Sequence, residues 1–196
     1  MEAIKSSIRP YKVNEHYKQS LTKGYEYYRV RLHSLYKEAG TTNVDATFDV
    51  KRVFPNHRAD LLNGEWEVFL ETFVGDFVDV DKASLTMHLP DLISSPNDFA
   101  VGANGCQLSD ILAVVPTIWE RLSEISNNGC NAFSVSNVIG RDTVGVKIDP
   151  TLLFQLGQLR VVLTDENLAA IAIGNGAGEI KSAESWQATL LFVHKP

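Results

Sequence analysis

The chain has 196 residues, 44% of them apolar and 21% charged, which excludes wholesale disorder and suffices for one well-filled core. Its net charge of −6 is uneven: residues 1–24 hold five basic side chains against two acidic ones, a net +3 that leaves −9 on the remainder. No run of about 20 apolar residues occurs, so no membrane-spanning helix is expected, and the first 24 residues lack the apolar stretch of a secretory signal.

Residues 1–24, with Pro10 and no sustained period, read as an extended basic arm. Residues 25–196 read as one β domain. Tyr25 to Tyr36 is a first long strand, with Tyr28, Val30 and Leu32 on one side and Arg29, Arg31 and His33 on the other. After a turn at 37–42, Val44, Ala46, Phe48 and Val50 alternate with polar residues in a second strand. Glu65 to Val74 is a third, with Trp66, Val68, Leu70, Thr72 and Val74 on one face. Gly75 to Lys82 is an acidic connector, and Leu85, Met87 and Leu89 mark a fourth strand stopped by Pro90.

Residues 90–97 read as a loop. Leu108 to Val115 is a short apolar run that fits a strand or a single helical turn, and Trp119 to Ile125 is equally ambiguous. Phe133–Val138 and Val144–Ile148 read as a strand pair around Gly140-Arg-Asp142. Asp149-Pro-Thr-Leu-Leu-Phe154 suits a short helix with Pro150 at its first position. Leu159, Val161 and Leu163 form another strand, Gly174 to Gly178 a turn, and Trp186 to Val193 a closing strand. Short strands with no long amphipathic helix between them point to an all-β, antiparallel two-sheet sandwich, with an eight-stranded single jelly roll ahead of an immunoglobulin-like order.

Chemistry-bearing patterns are weak. Gly174-Asn-Gly-Ala-Gly178 is followed by Glu179 and Ile180 rather than the Lys and hydroxyl of a phosphate loop. Asp76, Asp79 and Asp81 lack the spacing of a calcium loop. The five histidines, His16, His33, His57, His88 and His194, show no metal-ligand spacing, and His33 and His88 fall on outward strand faces. Glu65, Glu67 and Glu71 share a strand face, an arrangement that hydrolyses glycosides only with a cleft between the acids. Cys106 and Cys130 each follow Asn-Gly; two buried thiols or one bridge both remain open. No catalytic residues, cofactor or metal are assigned.

Two features point to association instead. The basic arm, carrying Lys5, Arg9 and Lys12, suits docking on an acidic partner or a limited contact with nucleic acid. Phe69, Phe73 and Phe77, with Leu191 and Val193, fall on the parity opposite the expected core, so that face needs cover from the arm, from the 90–130 region or from another subunit. Trp66 and Trp186 lead the inward faces of their strands and are the expected core anchors. A ligand-binding sandwich without catalysis, lectin-like or receptor-binding, is the alternative, with Tyr11, Phe99 and Trp119 as candidate exposed aromatics.

Four strings carry a resemblance. Tyr28-Arg-Val-Arg-Leu-His-Ser34 is followed by Lys37 and Gly40-Thr-Thr42; then come Trp66-Glu-Val-Phe-Leu-Glu71, Leu85-Thr-Met-His-Leu-Pro-Asp-Leu92 and Trp186-Gln-Ala-Thr-Leu-Leu-Phe192. In order and pattern, over residues 25–194, the chain resembles the single jelly-roll capsid proteins of eukaryotic double-stranded DNA viruses: penton and minor capsid proteins of virophages, polinton-like viruses and giant viruses. The resemblance implies a structural protein of the virion, a penton that closes vertices as a pentamer or a minor protein that cements a major capsid protein. It implies an arm that reaches neighbours or the virion interior, and no active site.

Overall fold

The computed structural model describes residues 25–51, 53, 63–77, 83–93, 95–102, 105–118, 131–137, 145–174, 180 and 184–195. The N-terminal arm, with Lys5, Arg9 and Lys12, lies outside them, as do Tyr11, Trp119 and Cys130. The elements are β1 (Glu26–His33), β2 (Asp45–Asp49), β3 (Glu65–Phe77), β4 (Ser84–His88), β5 (Ser95–Gly102), β6 (Gly105–Ser109), β7 (Ile111–Ile118), β8 (Asn131–Ser136), β9 (Val146–Ile148), α1 (Pro150–Gln155), β10 (Gln158–Asp165) and β11 (Trp186–Lys195). A 3-10 turn, Ser34–Tyr36, ends the first strand earlier than its apolar pattern implied. The Asp149 carboxylate caps α1 by accepting from the Thr151 amide at 2.7 Å, with Pro150 in the first turn. No helix among the described residues is long and apolar enough to cross a membrane.

The strands form an antiparallel sandwich of two sheets. One runs β1-β11-β3-β8, the other β2-β10-β4-β7. Within them the chain pairs from the outside inward: β1 with β11, β2 with β10, β3 with β8, β4 with β7. A long antiparallel ribbon folded over itself produces this nested order, which is the jelly roll. The sheets join along one edge, where Thr117 and Ile118 of β7 pair with Phe133 and Ala132 of β8. At the other edge β1 and β2 end the hydrogen-bonded path. The β5–β6 hairpin is an insertion between β4 and β7, so strand begins at Ser95 inside the expected loop, and the apolar run at 108–115 resolves as strand.

β8 and β9 do not pair with each other. Both lie along the same edge of β3, β8 beside Thr72–Phe77 and β9 beside Trp66–Val68. Two apolar runs flanking Gly140-Arg-Asp142 imply a hairpin by local pattern, whereas each run takes β3 as its partner.

A bulge in β3 decides which residues enter the core. Thr72 pairs with Thr189 and Leu70 with Leu190, leaving Glu71 as an extra residue. Trp66, Val68 and Leu70 point inward before it, Phe73 and Phe77 after it, all within one apolar core. The expected outward placement of Phe73 and Phe77 is therefore corrected: both are fully buried. Val74, expected inside, is 57% exposed. Phe69 lies before the bulge and does face outward, where it packs with Leu191, Val193, Tyr25 and Tyr27. A Cβ at Gly145 would come within 2.6 Å of the Phe69 ring, so only glycine permits that close cover. The chain thus covers this outer apolar face itself.

The core spans both sheets. Phe48 of β2 meets Trp186 of β11 edge-on at 5.8 Å, and Trp186 stacks on Phe73 at 5.8 Å. The Trp186 indole donates to the Asn43 carbonyl at 2.6 Å, satisfying its one polar atom. Trp66 stacks on Tyr28 at 5.6 Å and meets Phe154 of α1 at 5.5 Å. Both tryptophans are 1% exposed. Each burial of this size removes enough apolar surface to contribute about 3 kcal/mol or more.

Candidate functional site

The face that carries Glu65, Glu67 and Glu71 is an array of ion pairs. Glu65 accepts from Lys147 at 3.0 Å, and that hydrogen bond holds its carboxyl below the ordinary range. Glu67, buried, is paired with Lys195 and accepts from the Gly145 amide at 3.3 Å. Glu71 is gripped by both sides of the Arg29 guanidinium, at 2.8 Å from Nε and 3.0 Å from Nη2. Each acid answers a different cation. The Arg29 pair also removes one cation from the basic face of β1, leaving Arg31 and His33.

His88 lies on the outward face of β4 as its parity implies, opposite the core residues Leu85, Met87 and Leu89, but it is buried there together with Thr86. Its Nδ1 lies 2.6 Å from Asp110 Oδ1 and its Nε2 lies 2.8 Å from Thr164 Oγ1. With Nδ1 donating to the carboxylate, Nε2 accepts from the hydroxyl. Hydroxyl, imidazole and carboxylate in that order match the parts of a nucleophilic relay. Thr164 is laddered on both sides, to Thr86 of β4 and to Ala170. The chain of three side chains fastens β10, β4 and the turn at Asp110.

His194 ends the inward face of β11. Its Nε2 donates to the Asn63 carbonyl at 2.7 Å, and its ring lies 5.0 Å from Trp66. Gly64, at φ +98°, lets the chain turn directly against the Lys195 carbonyl, where a Cβ would collide. Among the described residues no group of three His, Cys, Asp or Glu side chains is placed to hold a metal ion. Asp79, Asp81 and the loop 175–179 lie outside the described residues. Cys106 stands opposite Val101 in the β5–β6 hairpin, and the Cys106–Cys130 question also falls outside them.

Among the described residues an open cleft lies at the edge where β1 and β2 end the strand order. It encloses ≈ 440 Å³ and is floored by core side chains including Val30, Leu32 and Val50. Tyr36, on the 3-10 turn, stands at its side with 81% of its surface exposed. The His33 ring meets the Tyr36 ring edge-on at 5.3 Å. Arg31, Glu38, Asp49 and Gln187 complete the polar rim. His33 Nδ1 accepts from the Leu35 amide at 3.2 Å, and Asp49 Oδ1 accepts from the Lys51 amide at 3.0 Å. Sequence reading passed over this site because its residues come from three separate segments. Tyr36 shares the parity of Tyr28, Val30 and Leu32, so alternation alone places it inward; the 3-10 turn at Ser34–Tyr36 ends the strand and puts it outside. No family model matches the chain, and no curated protein or solved structure matches it.

Proposed function

We propose that this chain is a structural assembly protein of the single jelly-roll capsid kind, a penton or a minor capsid component, without catalysis of its own. The nested pairing of eight strands carries the reading, because it is the strand order that the resemblance over residues 25–194 implies. A fold hosts many functions, so the topology supports the role only together with that resemblance. The phenylalanine face no longer supports it, since Phe73 and Phe77 fill the core. What remains for contacts with a major capsid protein or with further copies is the basic arm beside an acidic body.

Native mass spectrometry of the full chain at micromolar concentration tests the penton form. A closed pentamer is the expected result. A trimer favours a capsomer or receptor-head arrangement. A chain that stays monomeric and does not associate with a major capsid protein overturns the assembly reading and leaves a binding module as the better account.

A further inference from the structure

We propose that the cleft at the β1/β2 edge is a binding site for a neutral saccharide. The inference stands on the cleft alone and does not depend on the assembly reading.

Three observations converge there. First, its volume of ≈ 440 Å³ falls within the range of small-ligand sites, which run from about 300 to 1,000 Å³. Second, a tyrosine ring with 81% of its surface in water stands beside an apolar floor, and the T-shaped contact with His33 holds it there. A sugar ring offers a C–H face that packs on an aromatic ring, and covering Tyr36 in this way recovers the hydration cost of its exposure. Third, the rim offers both halves of the hydrogen-bonding that hydroxyl groups require. Glu38 and Asp49 accept, Arg31 donates, and the Gln187 amide does both.

The side chains of Arg31, Tyr36, Glu38 and Gln187 make no hydrogen bond or ion pair among the described residues. Because His33 Nδ1 accepts from Leu35, the neutral ring carries its proton on Nε2, a donor left available to a ligand. The charge balance selects among ligands. Two carboxylates against one guanidinium disfavour phosphates and sialylated glycans and leave neutral sugars.

Saturation-transfer difference NMR on the full chain tests the proposal. The probes are methyl α-mannoside, methyl β-galactoside and methyl β-N-acetylglucosaminide, with sialyllactose and inorganic phosphate as anionic comparators. Transfer to ring C–H protons of at least one neutral sugar is expected. Tyr36→Ala and Asp49→Asn should each weaken it by about tenfold, while Lys147→Ala, on the Glu65 face, should leave it unchanged. Tyr36 is mostly exposed, so its variant should melt as the parent does. No transfer to any neutral sugar, a preference for sialyllactose, or binding that survives Tyr36→Ala overturns the proposal. So does loss of binding only in variants that have also lost their fold.

Discussion

Leu70 and Phe73 stand three residues apart on β3 and face the same core, although strict alternation would turn them to opposite sides. The extra residue at Glu71 absorbs the difference, and Arg29 grips its carboxylate on the outer face. Everything that β3 contributes C-terminal to that point depends on the bulge.

The bulge makes neighbouring substitutions differ sharply. Phe73→Ala should cost about 3–5 kcal/mol, because a fully buried ring stacked on Trp186 is lost. Val74→Ala, next along the chain, should change stability by no more than about 0.5 kcal/mol. Urea denaturation of both variants checks the pair. Costs in the opposite order would mean that β3 runs without a bulge.

Trp66 and Trp186 anchor the core in chemically different ways. Either one changed to Ala should cost about 3–5 kcal/mol. Trp186→Phe should still cost about 1–3 kcal/mol, because the buried Asn43 carbonyl loses its indole donor. Trp66→Phe should be milder, since Trp66 is held by the rings of Tyr28, Phe154 and His194. Denaturant midpoints for the four variants give the comparison.

His88→Leu should destabilise by about 1–3 kcal/mol, because it leaves the buried Thr164 hydroxyl without its ring partner. Asp110→Asn should cost less than about 1 kcal/mol, because the Asp110 side chain is 33% exposed and water replaces the ring contact. Equal costs would show that the charge on Asp110, rather than the buried hydroxyl, governs the clamp.

The Asp45–Arg160 pair sets an acid-limb dependence. The Arg160 hydrogen bonds hold the Asp45 carboxyl below its ordinary value of 3.8, against an opposing effect of burial. The folded state therefore binds this proton less readily than the unfolded state does. The stabilisation is present above the unfolded value and is lost as pH falls below about 3.8 through the folded one. Both side chains are nearly half exposed, so the contribution is about 0.5 kcal/mol or less after solvent screening. Asp45→Asn should flatten the wild-type stability curve by that amount in this window and remove the salt dependence of the difference.

Deleting residues 1–20 should leave the melting temperature of the domain unchanged and weaken association, because a +3 arm beside a −9 body suits contact with acidic neighbours. Native mass spectrometry and thermal melting read the two effects separately. An unfolded product would place the arm in the core.

The all-β class and the inward faces of β1, β2, β10 and β11 were legible in the sequence because strand alternation has a short period and survives wherever one face is buried. Trp66 and Trp186 were legible for the same reason. The capped turn of helix at Asp149-Pro150 was legible because its signal is local. Tertiary structure alone decided the inward turn of Phe73 and Phe77, the burial of His88, the placement of β8 and β9 on one edge of β3, and the cleft around Tyr36. A bulge is one residue counted against a partner strand more than a hundred positions away. A rim built from β1, β2 and Gln187 exists only when the two sheets end side by side. Periodicity encodes which side of a strand is apolar; only long-range pairing sets where that periodicity is interrupted and which strands border open space.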